Sequence, residues 1–307
     1  MSKNPSILLS AGNMAPIEQA HLLRGFSSKK TPLKWIRFFR LCVLQREKAE
    51  NKTSRNQMFV VISFLVGIVL TFLFLLDFFW YISIPLLIIT IIFLSYFQRA
   101  FNKKYSDGYD FFASYFSALF TLMEEEMPEN GVISLKANVK NTLSNEFLKS
   151  ENEPKPNSSY SSRNIKNEYF EKEICSGTCL LKDGSEAFFS FTELTRQRII
   201  KRNKTRGRVK TKKKYKSVYP FILKMKFPKS TYSLNQDLKL DDIQFSEDDE
   251  FYYMRAKRKF DIKEEKPEDY SPYTYNSIQL FSVDYFTLEV MNLLNLCYGC
   301  FTLKSNT

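Results

Sequence analysis

The chain has a single histidine, His21, in 307 residues. That scarcity excludes most catalytic triads and proton relays built on imidazole, and any histidine-rich metal site. Nine glycines are spread thinly and form no glycine-rich loop of the kind that cradles phosphates. Five cysteines are too few for a disulfide framework in a chain of this length, and a cytosolic location would keep them reduced. No strong catalytic signature takes the place of these missing elements, so the sequence argues for a non-enzymatic protein.

What is abundant is apolar and basic. Met58–Leu76 and Phe78–Phe97 are two apolar runs separated only by Asp77 and followed by Arg99, Lys103 and Lys104. Each has the roughly 20 residues that a helix needs to cross a hydrocarbon core of about 30 Å. A carboxylate at the bilayer centre costs about 2.5–3.5 kcal/mol, so Asp77 is expected in a wet turn between two spans rather than inside one. Phe78, Phe79, Trp80 and Tyr81 suit the headgroup level beside it. Residues 1–57 carry eleven Lys or Arg against three Glu. The positive-inside rule therefore puts this flank and both termini in the cytoplasm. A polar start of this length does not resemble a cleaved secretory signal.

Three segments follow from this: a basic cytosolic tail (1–57), a two-helix transmembrane hairpin (58–97) and a cytosolic α+β domain (98–307). In the tail, Thr31-Pro32 opens a helix to about Glu50 in which Lys34, Arg37 and Arg40 recur every three residues among Trp35, Ile36, Phe38 and Phe39. This pattern predicts an interfacial helix with basic side chains reaching toward anionic lipid. Packing on the cytosolic domain is the alternative. After the spans, Phe97–Glu126 reads as a helix with a broad aromatic face, and Ile133–Lys140 alternates as a half-buried strand.

The rest reads as a largely antiparallel sheet. Lys182-Asp183-Gly184-Ser185 predicts a hairpin turn joining strands over 169–181 and 187–192. Further strands are expected at 219–227, 251–262 and 278–283, and a closing helix at 285–296. Twelve basic residues and no acidic one lie between Arg196 and Lys216. We read this stretch as a loop whose Arg206, Arg208, Lys210, Lys212, Lys213, Lys214 and Lys216 bind an anionic surface, as Lys34, Arg37 and Arg40 do upstream. Anionic lipid is the first partner, because a tether already holds the domain at a membrane and each cation near the surface adds about 1 kcal/mol. Nucleic acid ranks below it, since Tyr215 is the one stacking side chain in the stretch.

Cys175 and Cys179, with Cys297 and Cys300, offer four possible zinc ligands. If 168–181 is extended, however, Cys175 and Cys179 lie about 13 Å apart. Glu193 reads as a surface group at a strand end, or with Thr192 and Arg196 as the lining of a cleft.

The two spans, the aromatic helix, the Asp-Gly hairpin leading into Phe189-Ser190-Phe191-Thr192-Glu193-Leu194, and Tyr219-Pro220-Phe221 with Lys226-Phe227-Pro228-Lys229 resemble an uncharacterised bacterial family of two-span inner-membrane proteins over roughly residues 58–262. The resemblance implies an inner-membrane location and a cytosolic α+β domain, and it implies no activity. The sequence thus leads to a membrane-anchored scaffold or accessory protein that binds the membrane surface and a protein partner, or itself as a homo-oligomer. An oligomeric channel or membrane-disrupting effector, and a tethered zinc or nucleic-acid-binding regulator, are the alternatives.

Overall fold

The computed structural model describes residues 16–74, 79–105, 108–152, 163–203, 209–235, 243–261 and 282–304. It is a mixed α+β structure with a large antiparallel sheet and two apolar helices near the N-terminus. The chain forms two compact units, Met1–Arg24 with Phe38–Tyr109, and Gly25–Arg37 with Asp110–Thr307.

The first unit contains α1 (Pro16–Leu23), most of α2 (Pro32–Phe74) and α3 (Phe79–Lys104). Gln57 Nε2 donates to Gln98 Oε1 at 3.4 Å, and a Cβ on Gly67 would come within 2.9 Å of Leu86 Cδ2. Gln57 and Gly67 of α2 thus neighbour Gln98 and Leu86 of α3. None of the apolar stretch in α2 and only 6 % of that in α3 is buried. These apolar surfaces are therefore exposed, unlike those of a covered core helix. Asp77 and its turn lie outside the described residues.

α2 also corrects an expectation. It runs unbroken for 43 residues, about 65 Å at 1.5 Å per residue, through the polar stretch 51–57. Trp35, Ile36, Phe38 and Phe39, assigned above to the headgroup region, are buried in protein instead, as is Cys42. Trp35 Nε1 donates to the Ile133 carbonyl at 2.9 Å. An indole needs such a partner once buried, and this one fixes the start of the helix. Lys34, Arg37 and Arg40 are left exposed on the opposite side of the helix.

The second unit is a sheet backed by helices on one face. Its strands are β1 (Gly25–Lys30), β2 (Ile133–Asn138), β3 (Leu148–Asn152), β4 (Arg163–Leu180), β5 (Glu186–Asn203), β6 (Val209–Pro228), β8 (Ile243–Glu247) and β9 (Phe251–Asp261); a separate ribbon pairs β7 (Tyr232–Leu234) with β10 (Phe301–Leu303). The main order is β1-β2-β4-β5-β6-β9-β8, with β3 also on β4. The Asp-Gly turn forms as expected: Gly184 has φ +82°, a conformation that Gly adopts without the steric cost of a Cβ.

Alternation decides which side chains reach the core. On β5, Ala187, Phe189 and Phe191 point inward; on β6, Tyr219, Phe221, Leu223, Met225 and Phe227 do so. They meet a short helix α4 (Gly108–Phe111), a π-helical turn (Phe112–Phe116), α5 (Ser117–Glu126) and α6 (Val283–Tyr298). Phe286 of α6 stands at the centre, 5.7 Å from the Phe191 ring, 5.9 Å from Phe221, 5.5 Å from Phe260 and 5.8 Å from Phe116. The helix expected over 97–126 is thus divided, with a π turn where Phe112, Tyr115 and Phe116 enter the core. The strand expected at 278–283 falls largely outside the described residues, and Val283 begins α6.

Candidate functional site

The strand register turns the basic stretch from a loop into a sheet face. Arg196–Asn203 and Val209–Lys216 are not loop but the outer halves of β5 and β6, paired from Arg196↔Lys216 to Asn203↔Val209. With a period of two, Arg196 and Arg198 on β5 share one face with Lys210, Lys212, Lys214 and Lys216 on β6. Arg196 lies directly opposite Lys216, and Arg198 opposite Lys214. Like charges in such positions weaken a ladder slightly, and here they are left to solvent.

The same face continues along the sheet, away from the helices. Lys224 and Lys226 of β6, Arg255, Lys257 and Lys259 of β9, and Lys136 of β2 lie on it by register. Between them stand Ser176, Thr178, Ser190 and Thr192, with Phe188 half-buried. Glu171, Glu173 and Glu186 lie on this face, and Asp261 at the end of β9 shares it by register, opposite Val218. The three glutamates are engaged: Glu171 pairs with Lys149, Glu173 accepts from Ser176 Oγ at 2.7 Å, and Glu186 lies 3.9 Å from Lys226 Nζ. The result is an exposed surface with a cationic excess.

The expected site residues divide accordingly. Lys210, Lys212, Lys214 and Lys216 come together on this face; Lys213, opposite Ile199, belongs to the other. Arg206 and Arg208 lie outside the described residues. Lys34, Arg37 and Arg40 sit on α2 rather than on the sheet. Lys136, Arg255, Lys257 and Lys259 were missed, although in Arg255-Ala256-Lys257 every second residue is basic, a pattern that places a charged face on a strand.

The second correction concerns Glu193. It is not a surface group: it is 1 % exposed, on the core face, directly opposite Lys172 of β4. An irregularity in β4 between Glu173 and Cys175 buries both Ile174 and Cys175 and shifts the alternation, which puts Lys172 inside. Lys172 Nζ lies 3.4 Å from Glu193 Oε2 and donates to the Lys140 carbonyl at 2.9 Å. Thr142 Oγ1 donates to Oε2, Thr195 Oγ1 to Oε1 at 3.0 Å and Tyr219 OH to Oε1 at 3.3 Å. With every carboxylate oxygen engaged, the arrangement is a closed structural network that offers no base to a substrate.

Nor do the cysteines assemble. All five are free and buried, and among the described residues no group of three or more His, Cys, Asp or Glu is placed to hold a metal ion. Cys175 and Cys179 lie along β4, while Cys297 and Cys300 lie at the end of α6. Burial pushes the Cys179 and Cys297 thiols up to about 12, and raises Cys300 as well. A reactive dithiol needs the opposite shift, such as a helix N-terminus provides.

A further polar cluster locks the hairpin. Tyr232 OH and Tyr298 OH both donate to Asp183 Oδ2, the latter at 2.7 Å, while Ser185 binds Oδ1 through its amide at 2.9 Å and its hydroxyl at 2.6 Å. Burial alone would raise the Asp183 pKa, but these hydrogen bonds outweigh it and hold it below the ordinary value.

Comparison with known proteins gives no match to any family model, curated protein or solved structure.

Proposed function

We propose that this is a membrane-anchored, non-enzymatic scaffold or accessory protein whose open basic sheet face docks on an anionic membrane surface. The observation that carries the proposal is the one-sided layout: Arg196, Arg198, Lys210, Lys212, Lys214 and Lys216 gather on the face that Lys224, Arg255 and Lys257 extend. An array of exposed cations on one face suits an anionic leaflet, and it leaves the helix-backed side of the sheet free for a protein partner. The uncovered apolar stretches of α2 and α3 support insertion as a two-span hairpin. The basic N-terminal flank supports cytoplasmic termini, and the resemblance to two-span bacterial proteins supports an inner-membrane location. Once tethered, the domain meets the leaflet at a high effective concentration, so each cation need contribute little.

A channel-forming homo-oligomer is the second reading, favoured by the large apolar surface that α2 and α3 leave exposed even after packing on each other. Gentle extraction of the full-length protein from its native membrane, followed by mass measurement of the intact particle, separates the two. A stoichiometric partner protein supports the accessory role, and a partner-free homo-oligomer supports the channel.

A further inference from the structure

A groove of about 760 Å³ crosses the open face along one row of the register, from Lys29 of β1 to Gln244 of β8. Its cations come from three different strands: Lys29 of β1, Lys224 and Lys226 of β6, and Arg255 of β9. Lys226 is already occupied, with its ammonium 3.8 Å from the Phe251 ring centre and 3.9 Å from Glu186 Oε2. Among the described residues, Lys29, Lys224 and Arg255 have no ion-pair partner. Lys224 and Arg255 stand directly opposite each other in the β6–β9 ladder. Two cations in that position repel unless an anion lies between them. Arg255 offers a planar fork, of which one nitrogen reaches Gln244 Oε1 at 3.1 Å, and Lys224 offers a point charge.

The same groove has an apolar border. Leu180 and Val132 are each 48 % exposed there, and Phe188 lies beneath the Lys224 ammonium, 5.2 Å from ring centre to nitrogen. A simple inorganic anion makes no use of these side chains. A molecule with a phosphate at one end and apolar carbon at the other uses both.

We propose that this groove binds the phosphate of a single anionic lipid headgroup, with Lys224 and Arg255 on the phosphate, and Phe188, Leu180 and Val132, on the way toward the β1 edge, against the glycerol and first acyl carbons. The proposal rests on the docking function above and sharpens it: the extended face supplies non-specific attraction, and the groove supplies one saturable position. Glu186, the one carboxylate among the described residues that line the groove, is held toward Lys226 and leaves Lys224 and Arg255 for the ligand.

The test uses full-length protein in a neutral maltoside detergent, with phosphatidic acid as the probe. Native mass spectrometry should show one lipid retained per chain above the level seen with phosphatidylcholine. Lys224→Gln with Arg255→Gln should weaken that adduct at least tenfold, the loss of two charge-assisted contacts. Lys212→Gln with Lys214→Gln, on the extended face, should leave it unchanged. Both groove residues are exposed and repel each other, so their variant should melt no lower than the parent. Equal weakening by both pairs, or no adduct specific to phosphatidic acid, overturns the proposal. Glycerol phosphate competing as well as the lipid also overturns it, since a free phosphate compound would then be the ligand. If anionic vesicles fail to engage the extended face while the groove-dependent adduct persists, the docking function fails and the groove stands.

Discussion

Lys172 and Glu193 face each other across β4 and β5 with 3.4 Å between Nζ and Oε2, both sealed inside the sheet–helix core. The pair sits where the inner face of β5 changes from Ala187, Phe189 and Phe191 to Glu193, Thr195 and Gln197. It therefore marks the point at which the apolar core ends and the polar extension of the ribbon begins. Removing one member strands a buried charge, at a cost of about 3–5 kcal/mol, whereas removing both spares that penalty. Lys172→Met and Glu193→Leu should each destabilise strongly, and the double variant should lose much less than the two combined. A double-mutant cycle by denaturant titration measures this, and simple additivity would contradict it.

Gly177 lies opposite Phe189 on β4 and β5, and a Cβ there would run into the Phe189 ring. Gly177→Ala should displace an aromatic side chain that packs on Phe116, Phe120 and Phe221, lowering stability by about 1–3 kcal/mol. Gly184→Ala, where the added Cβ meets only Pro228 at 3.9 Å, tests the positive φ instead and should cost about 1 kcal/mol. Thermal melting of the two variants separates crowding from backbone strain; a neutral Gly177→Ala would remove the packing explanation.

The thiols should be silent in the folded state. Burial pushes Cys179 and Cys297 up to about 12, so little thiolate exists at neutral pH. A thiol-reactive chromophore should label the native protein slowly and the denatured protein at five sites per chain. Elemental zinc should be substoichiometric and unaffected by Cys297→Ser. Rapid native labelling, or one zinc per chain lost in that variant, would contradict this arrangement.

His21 gives the fold a pH limit. Its Nε2 lies 3.1 Å from the Cys42 carbonyl oxygen, its Nδ1 has no hydrogen-bond partner, and the rings of Tyr105 and Tyr109 pack at 5.0 and 4.9 Å. Burial lowers its pKa, helped by the nearby charges of Arg46 and Lys104 and opposed by the Cys42 hydrogen bond. Below about pH 6.5 the unfolded chain takes up a proton that the folded one resists, so stability present above that pH is lost as the pH falls. His21→Phe should flatten the stability profile between pH 7 and 5. An unchanged profile would assign the acid sensitivity elsewhere.

The parts of the sheet that sequence reveals are those where alternation is apolar. Tyr219 to Phe227 and the Asp-Gly turn are legible because one face is aromatic or aliphatic throughout and the turn chemistry is local. The outer half of β5 is not, because its inward residues Glu193, Thr195 and Gln197 are polar and hide the period of two. β1 (Gly-Phe-Ser-Ser-Lys-Lys) contains one apolar side chain, Phe26, and it forms because β2 supplies a pairing edge and Trp35 and Phe112 supply the packing. The unbroken α2 is likewise invisible across Asn51–Gln57, where helix on both sides carries a weak segment. The basic face depends on register, which sequence does not supply.

Contact between the open face and anionic lipid is best measured directly. Full-length protein carrying a spin label at Thr178→Cys, on the open face, or at Leu288→Cys, on the exposed side of α6, is placed in lipid nanodiscs with nickel-chelating headgroups. In discs containing phosphatidylglycerol the label at 178 should relax rapidly through collision with nickel, and the effect should fade at about 0.5 M salt, where surface charges are screened within a few ångströms. The label at 288 should show no such effect. A label at 178 that never senses the headgroups, or senses them equally in neutral discs and high salt, would contradict electrostatic docking of the basic face.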